Sequence, residues 1–261
     1  MRTFSIALSS TINSLTSNEL PVFFIAQLQQ SIQTAQKGDL ITISWQISGP
    51  HPNFDQLQLG LSIIYVQAEK IKVTTNKFLL DITVLIEGFS QAFRTPPPNY
   101  KLRTVALGGT FDHLHSGHKI LLTMAAWLAT HKLIVGISDG DLLVNKKFPQ
   151  RLQSLSERIA AVTTFLKRVS PLKLIIEPVV LKDIYGPTAT EPDIQGILVS
   201  KETFSGTKAI NEKRHEKGLM PLEPYVIDMI SPDKINLNEA DIQKLKISST
   251  ELRKWLDDGG E

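Results

Sequence analysis

The 261-residue sequence contains no cysteine. This absence excludes a disulfide framework, a thiolate-ligated metal site and a thiol nucleophile. The sequence also has no apolar run near the ~18 residues that a membrane-spanning helix needs. Its charges nearly balance, with 28 Lys and Arg residues against 26 Asp and Glu residues. A net charge of +2 gives no sign of a polyanion-binding surface, so we expect neither nucleic acid nor a membrane as a partner.

Targeting signals are also missing from the first eighteen residues. This stretch is rich in Ser and Thr, but Arg2 is its single charged residue. A transit peptide is normally rich in arginine, and the apolar stretch Phe4–Leu8 is too short for the core of a signal peptide. We therefore expect a cytoplasmic protein.

The balanced total charge hides two different compositions. Residues 1–98 hold six basic and six acidic residues, whereas residues 99–261 hold 22 and 20. The change falls beside the triple proline at 96–98, and prolines between two compositions are typical of a linker. We predict an N-terminal domain over 1–95, a Pro-rich linker over 96–100 and a second domain over 101–261. A Pro-rich loop inside one domain is the alternative.

The N-terminal part is predicted to be a small α/β domain without identifiable chemistry. Apolar residues recur with a helical period within 19–36, and Gly38 is a plausible stop. The β-rich runs 40–45 and 63–66 predict two strands, and 78–86 predicts a third.

The second part alternates strands and helices. A buried strand over 102–107 runs into Gly108 and Gly109, a helix follows over 116–130 with Ser116 as a possible N-cap, and 132–138 is the next strand. This is a βαβ unit, so we predict a Rossmann-like parallel sheet with helices on both faces. Its first turn lies where such sheets bind ligands, and backbone N–H groups there favour anions.

Three of the six histidines occupy this turn, at His113, His115 and His118. They could bind a metal with Asp112 as a further ligand, or they could cap the turn structurally. The third interpretation is anion chemistry, in which imidazoles at a helix N-terminus donate to a reacting phosphate.

The residues of this turn resemble a known superfamily. The stretch GGTFDHLHSGHK at 108–119 contains the [HT]-x-G-H element of nucleotidyltransferases, and I-S-S-T-x-x-R follows at 247–253. Three intervening segments, at 136–147, 183–187 and 198–211, are similar to eukaryotic phosphopantetheine adenylyltransferases. The resemblance covers about residues 102–256. Because the sequence has no P-loop, it resembles the monofunctional fungal type with an extra N-terminal region, and we expect a single reaction step.

The resemblance implies transfer of an adenylyl group from ATP, with Mg²⁺, to 4′-phosphopantetheine, giving dephospho-coenzyme A. It implies that His118 stabilises the transition state, that Thr110 contacts the acceptor phosphate, and that Lys146 or Lys147 binds substrate phosphate. The other implied nucleotide contacts are Gly108, Gly109, Thr110, Phe111, His115, Ser248, Ser249, Thr250 and Arg253. The other implied acceptor contacts are Asp112, Ser200 and Lys201.

The sequence leaves open which basic residue binds substrate phosphate and which function the protein has. Bacterial members carry a basic residue after the strand that ends near Ser200, and here Lys201, Lys208 or Arg214 could supply that charge. The function could also be that of another nucleotidyltransferase, acting on nicotinamide mononucleotide or a cytidylyl acceptor. A third possibility is a scaffold subunit whose N-terminal domain binds other enzymes of coenzyme A synthesis.

Overall fold

The computed structural model describes residues 1–11, 20–49, 51–87, 102–170, 172–227 and 248–260. The chain forms two compact units, one of Met1–Arg94 with Ile230–Ile247 and one of Thr95–Met229 with Ser248–Glu261. The predicted division into 1–95, 96–100 and 101–261 stays a prediction. The predicted linker at 96–100 lies outside the described residues.

The first unit is a three-stranded parallel sheet with two helices. Its sheet has the order β1-β2-β3, and Ile6, Ile43 and Val84 stand side by side across it as part of the core. The elements in chain order are β1 (Thr3–Thr11), α1 (Val22–Thr34), β2 (Leu40–Ser48), α2 (Phe54–Thr74) and β3 (Asp81–Ile86).

The predicted strand at 63–66 was wrong, because these residues lie in the middle of α2. The helix begins at a capping box in which Asn53 and Gln56 exchange side-chain and backbone hydrogen bonds. Most residues of α2 are buried, so its sequence lacks the polar face that marks a surface helix. A continuous apolar run does not distinguish a buried helix from a buried strand, and the cap decides in favour of the helix.

The second unit is a five-stranded parallel sheet in the order β6-β5-β4-β7-β8, which confirms the predicted α/β class. β4 occupies the centre. The chain builds outward through β5 and β6, returns to β7 on the other side of β4 and continues to β8, so the strand order reverses between β4 and β7. Open α/β sheets bind ligands at the carboxyl ends of the strands beside this reversal. The elements are β4 (Leu102–Gly109), α3 (Ser116–Leu128), β5 (Ala129–Ser138), α4 (Leu155–Val169), β6 (Ile175–Leu181), β7 (Gly196–Ser200), α5 (Gly206–Glu216), β8 (Glu223–Ile227) and α6 (Ser249–Asp257).

Helix α3 follows the predicted apolar pattern, since Ile120, Met124 and Trp127 are all buried. Its N-cap is His115 rather than the predicted Ser116, which is already the first helical residue. The His115 backbone is extended and its side chain makes no capping hydrogen bond. Among the residues that the structure describes, no helix combines the length and the apolar character needed to cross a bilayer.

Candidate active site

The turn between β4 and α3 forms the floor of the candidate site. Gly108 is exposed, and Gly109 and Thr110 are partly exposed at the carboxyl end of the central strand. The next side chain, Phe111, is fully buried and packs against the backbone of Gly109, where an added Cβ would lie 3.2 Å from the ring. The main chain of the two glycines and Thr110 is therefore accessible to a ligand, while the buried Phe111 ring packs against Gly109.

Backbone strain is concentrated at this site. Four non-glycine residues among those described have a positive φ, and three of them lie here: Phe111 at 52°, His113 at 42° and Phe148 at 54°. The fourth, Asn76, belongs to the first unit. Left-handed conformations of non-glycine residues cost free energy and cluster where function fixes the backbone.

His118 lies in the first turn of α3; it is partly exposed, and two other rings pack against its imidazole. The His115 ring stacks on it with centroids 3.9 Å apart, and the Phe111 ring is tilted against it at 5.3 Å. Its Nδ1 is buried and has no hydrogen-bond partner among the described residues. Burial of the ring and, to a smaller extent, the nearby Lys146 charge together lower the pKa of His118 to about 3. The imidazole is therefore neutral at pH 7.

The loop after β5 brings Lys146 to the imidazole. Of the two predicted lysines, Lys146 is the one whose charge acts on His118, and it is partly buried. Lys147 is exposed, and its carbonyl accepts a hydrogen bond from Nε of Arg253 at 2.9 Å. The structure thus separates two residues that the sequence could not distinguish.

Helix α6 begins against the same turn. Ser248 caps it in a capping box with Glu251, and the Ser249 hydroxyl donates to the main-chain oxygen of Asp112 at 2.8 Å. The first amide groups of a helix have no carbonyl partner within it, and they favour anions together with the helix dipole. α3 and α6 both start beside this turn, so two helix N-termini lie at one site. This arrangement favours the binding of a polyphosphate.

Comparison with known proteins defines the family. The model of the cytidylyltransferase-like family matches residues 106–255. The chain belongs to this cytidylyltransferase-like family.

Several relatives of this cytidylyltransferase-like chain are named phosphopantetheine adenylyltransferase. The one from Saccharomyces cerevisiae is 38% identical over 172 residues, which are 66% of this chain and 54% of the relative. The one from Methanopyrus kandleri is 33% identical over 62% of this chain and 96% of the relative. An uncharacterized protein from Schizosaccharomyces pombe is 40% identical over 58% of this chain and 47% of its own length. These matches confirm the resemblance that the motifs predicted, although the chain spans only about half the length of the two yeast relatives.

Two predicted contact residues of this cytidylyltransferase-like site, Asp112 and Arg253, are buried and pair with each other. Asp112 is fully buried, where Oδ1 accepts from the backbone N–H of Gln153 at 2.9 Å and Oδ2 accepts from Nη1 of Arg253. Arg253 is 1% exposed, and Nη2 donates to the Thr250 hydroxyl at 3.2 Å. Each side chain is therefore the other's ion-pair partner, and the contacts of Asp112 with the acceptor and of Arg253 with ATP stay predictions.

Of the three candidates for the basic residue near the end of β7, Arg214 is buried, whereas Lys201 and Lys208 are exposed. Arg214 is fully buried, and its guanidinium donates to four main-chain oxygens, including those of Thr188 and Met220. Lys208 is on α5, 3.9 Å from Glu212. Lys201 is exposed directly after β7, beside Ser200, whose hydroxyl lies 3.1 Å from that of Thr203.

The sequence reasoning missed Arg158, which lies beneath the turn. This residue of α4 is 1% exposed and donates to the carbonyl oxygens of Thr110, Ser138 and Gln153 at 3.0, 2.7 and 3.1 Å. It therefore fixes the ends of two strands to the start of α4. The sequence did contain a signal for its burial: Arg158 lies four residues before the buried Val162, which places both on the same apolar face of α4.

The histidine cluster does not assemble a metal centre. Nε2 of His113 lies 2.8 Å from the carbonyl oxygen of Arg151, and its backbone N–H donates to the Gln153 side chain. The described residues contain no group of three or more His, Asp or Glu side chains that could hold a metal ion.

Proposed function

We propose that this chain transfers an adenylyl group from MgATP to 4′-phosphopantetheine, giving dephospho-coenzyme A and pyrophosphate. A phosphate oxygen of the acceptor attacks the α-phosphorus of ATP, and the bond from that phosphorus to the oxygen bridging the β-phosphorus breaks. Such a reaction needs positioning and charge stabilisation rather than a protein nucleophile. The names of the relatives support this acceptor, and the site supports phosphate chemistry.

The observation that carries the proposal is the neutral imidazole of His118 at a helix N-terminus beside the Lys146 charge. A neutral imidazole donates one hydrogen bond, and the unpartnered Nδ1 shows that the protein does not satisfy the whole ring. We assign His118 to the α-phosphate, where it stabilises the charge that develops in the transition state. Lys146 then neutralises phosphate charge at the same place.

The acceptor side rests on the ends of two neighbouring strands. Thr110 follows β4, and Lys201 follows β7, which pairs with β4. We assign Thr110 to the acceptor phosphate and Lys201 to the charge that bacterial relatives place after this strand. We assign the backbone of Gly108, which is exposed, and of Gly109, which is partly exposed, to contact with the adenylate.

Further features of the proposal rest on the resemblance. They are ATP as the nucleotide, Mg²⁺ as the ion accompanying it, a cytoplasmic location and coenzyme A as a ligand. Binding of other coenzyme A-synthesising enzymes by the first unit belongs to the same set. A pull-down with the full chain, with and without disruption of the first unit, tests the last of these.

The choice of acceptor is tested by pyrophosphate release. The full chain with MgATP should release pyrophosphate in the presence of 4′-phosphopantetheine, and not with nicotinamide mononucleotide or phosphocholine. Replacing ATP by CTP should abolish release with every acceptor. Release with nicotinamide mononucleotide, or with CTP and phosphocholine, would assign the site to another branch of the family.

A further inference from the structure

Arg253 makes several internal contacts although it belongs to a motif expected at the phosphates. Its Nε donates to the Lys147 carbonyl, Nη1 pairs with Asp112, and Nη2 donates to Thr250. The side chain is 1% exposed, and the Asp112 carboxylate is completely buried. A guanidinium in this position cannot turn toward a ligand without leaving a buried carboxylate unpaired, which is strongly unfavourable.

These contacts tie together three segments that are far apart in sequence. Arg253 lies 106 residues from Lys147 and 141 residues from Asp112. Asp112 precedes the helix that carries His118, and Lys147 immediately follows Lys146. The hydrogen bond from the Ser249 hydroxyl to the Asp112 main chain adds a second link between α6 and the turn.

We propose that Arg253 is a positioning residue which, with Asp112, fixes the Lys146 loop against the His118 turn and does not itself bind the phosphates of ATP. The inference rests on the proposed function, because it gives Arg253 a role in placing Lys146 for phosphate chemistry. The planar fork of arginine is required, since one side chain must reach the Lys147 carbonyl and the Asp112 carboxylate together.

The central variant is Arg253→Lys, which keeps a positive charge for Asp112 but cannot make both contacts. We expect kcat to fall by roughly 10- to 100-fold, the scale of a misplaced catalytic group. The Kd of MgATP, measured by calorimetry without acceptor, should change by less than about threefold, because uniform nucleotide binding is not lost. A Kd at least about tenfold weaker with kcat retained would overturn the proposal, because it would place Arg253 on the nucleotide.

A double-mutant cycle with Lys146→Ala separates the two roles further. If Arg253 acts through Lys146, the double variant should have about the kcat of Lys146→Ala alone. Losses that multiply would show that Arg253 acts independently of Lys146 and would overturn the proposal. Should Arg253→Lys unfold, the charge-neutral pair Asp112→Asn/Arg253→Gln replaces it in the cycle with the same expectation.

Histidine NMR gives a readout that does not depend on turnover or on the acceptor. The ring signals of His118 should shift in Arg253→Lys in the same direction as in Lys146→Ala. The matched control is Arg214→Lys. It removes a buried guanidinium from main-chain carbonyls near the amino ends of β7 and β8, whereas the candidate site lies at the carboxyl ends of the strands. This control should lower stability without moving the His118 signals.

Two NMR outcomes would overturn the inference. One is unchanged His118 signals in Arg253→Lys, and the other is an equal shift in Arg214→Lys. If the wild type fails to turn over 4′-phosphopantetheine, the proposed function fails, whereas the NMR comparison still decides the role of Arg253.

Discussion

Acid should destabilise the second unit through His118, whose pKa is lowered from 6.5 to about 3 mainly by burial. The unfolded chain binds a proton on this imidazole as the pH falls below 6.5, whereas the folded chain does not until about pH 3. The stabilisation is therefore fully present above pH 6.5 and is lost progressively between pH 6.5 and 3. Between pH 7 and 4.5 the linkage relation gives a loss of roughly 2–3 kcal/mol.

The comparison that isolates this effect is wild type against His118→Asn, which cannot titrate in this range. Urea unfolding at several pH values between 7 and 4.5, followed by amide exchange in α3, reports the unit that carries His118. The unfolding free energy of the wild type minus that of His118→Asn should fall as the pH decreases, by up to about 1.4 kcal/mol per pH unit. A difference that stays constant across this range would refute the buried, neutral imidazole.

Three further predictions concern the site and the fold. His118→Ala should lower kcat by roughly 10²–10³, the scale of losing one transition-state donor, and a change in KM alone would contradict its assigned role. Lys146→Ala should lower kcat more than Lys147→Ala in the same steady-state assay, because only Lys146 acts on the imidazole; the reverse order would exchange their roles. Gly60→Ala should destabilise the first unit by roughly 1–3 kcal/mol in chemical denaturation, because its Cβ would overlap a buried tryptophan ring. Gly206→Ala, where an added Cβ meets nothing within 4 Å, is the control, and an equal loss there would remove the packing explanation.

Local signals in the sequence predicted the parts of the site that local chemistry determines. The glycine pair after a buried strand predicted the turn, and the S-x-x-E spacing of Ser248 and Glu251 is an equally local pattern that coincides with the cap of α6. The same spacing, at Ser154 and Glu157, coincides with the start of α4. Each of these patterns works within a few residues, so sequence alone is sufficient to find it.

Long-range pairing was beyond such signals. The ion pair of Asp112 and Arg253 joins residues 141 positions apart. Each residue belongs to a motif from which we predicted a contact with a ligand. The strand predicted at 63–66 failed for a related reason, because burial on most sides of α2 removed the helical polarity pattern. Tertiary packing determines both the Asp112–Arg253 pair and the burial of α2, and a local stretch of sequence carries no information about such packing.

The central claim is that this site joins the adenylyl group of ATP to the phosphate of 4′-phosphopantetheine. Mass spectrometry of a reaction containing the full chain, MgATP and 4′-phosphopantetheine tests it most directly. We predict dephospho-coenzyme A and pyrophosphate in equal amounts, and almost none of either with His118→Ala in the same time. Absence of dephospho-coenzyme A with folded wild-type protein would contradict the claim.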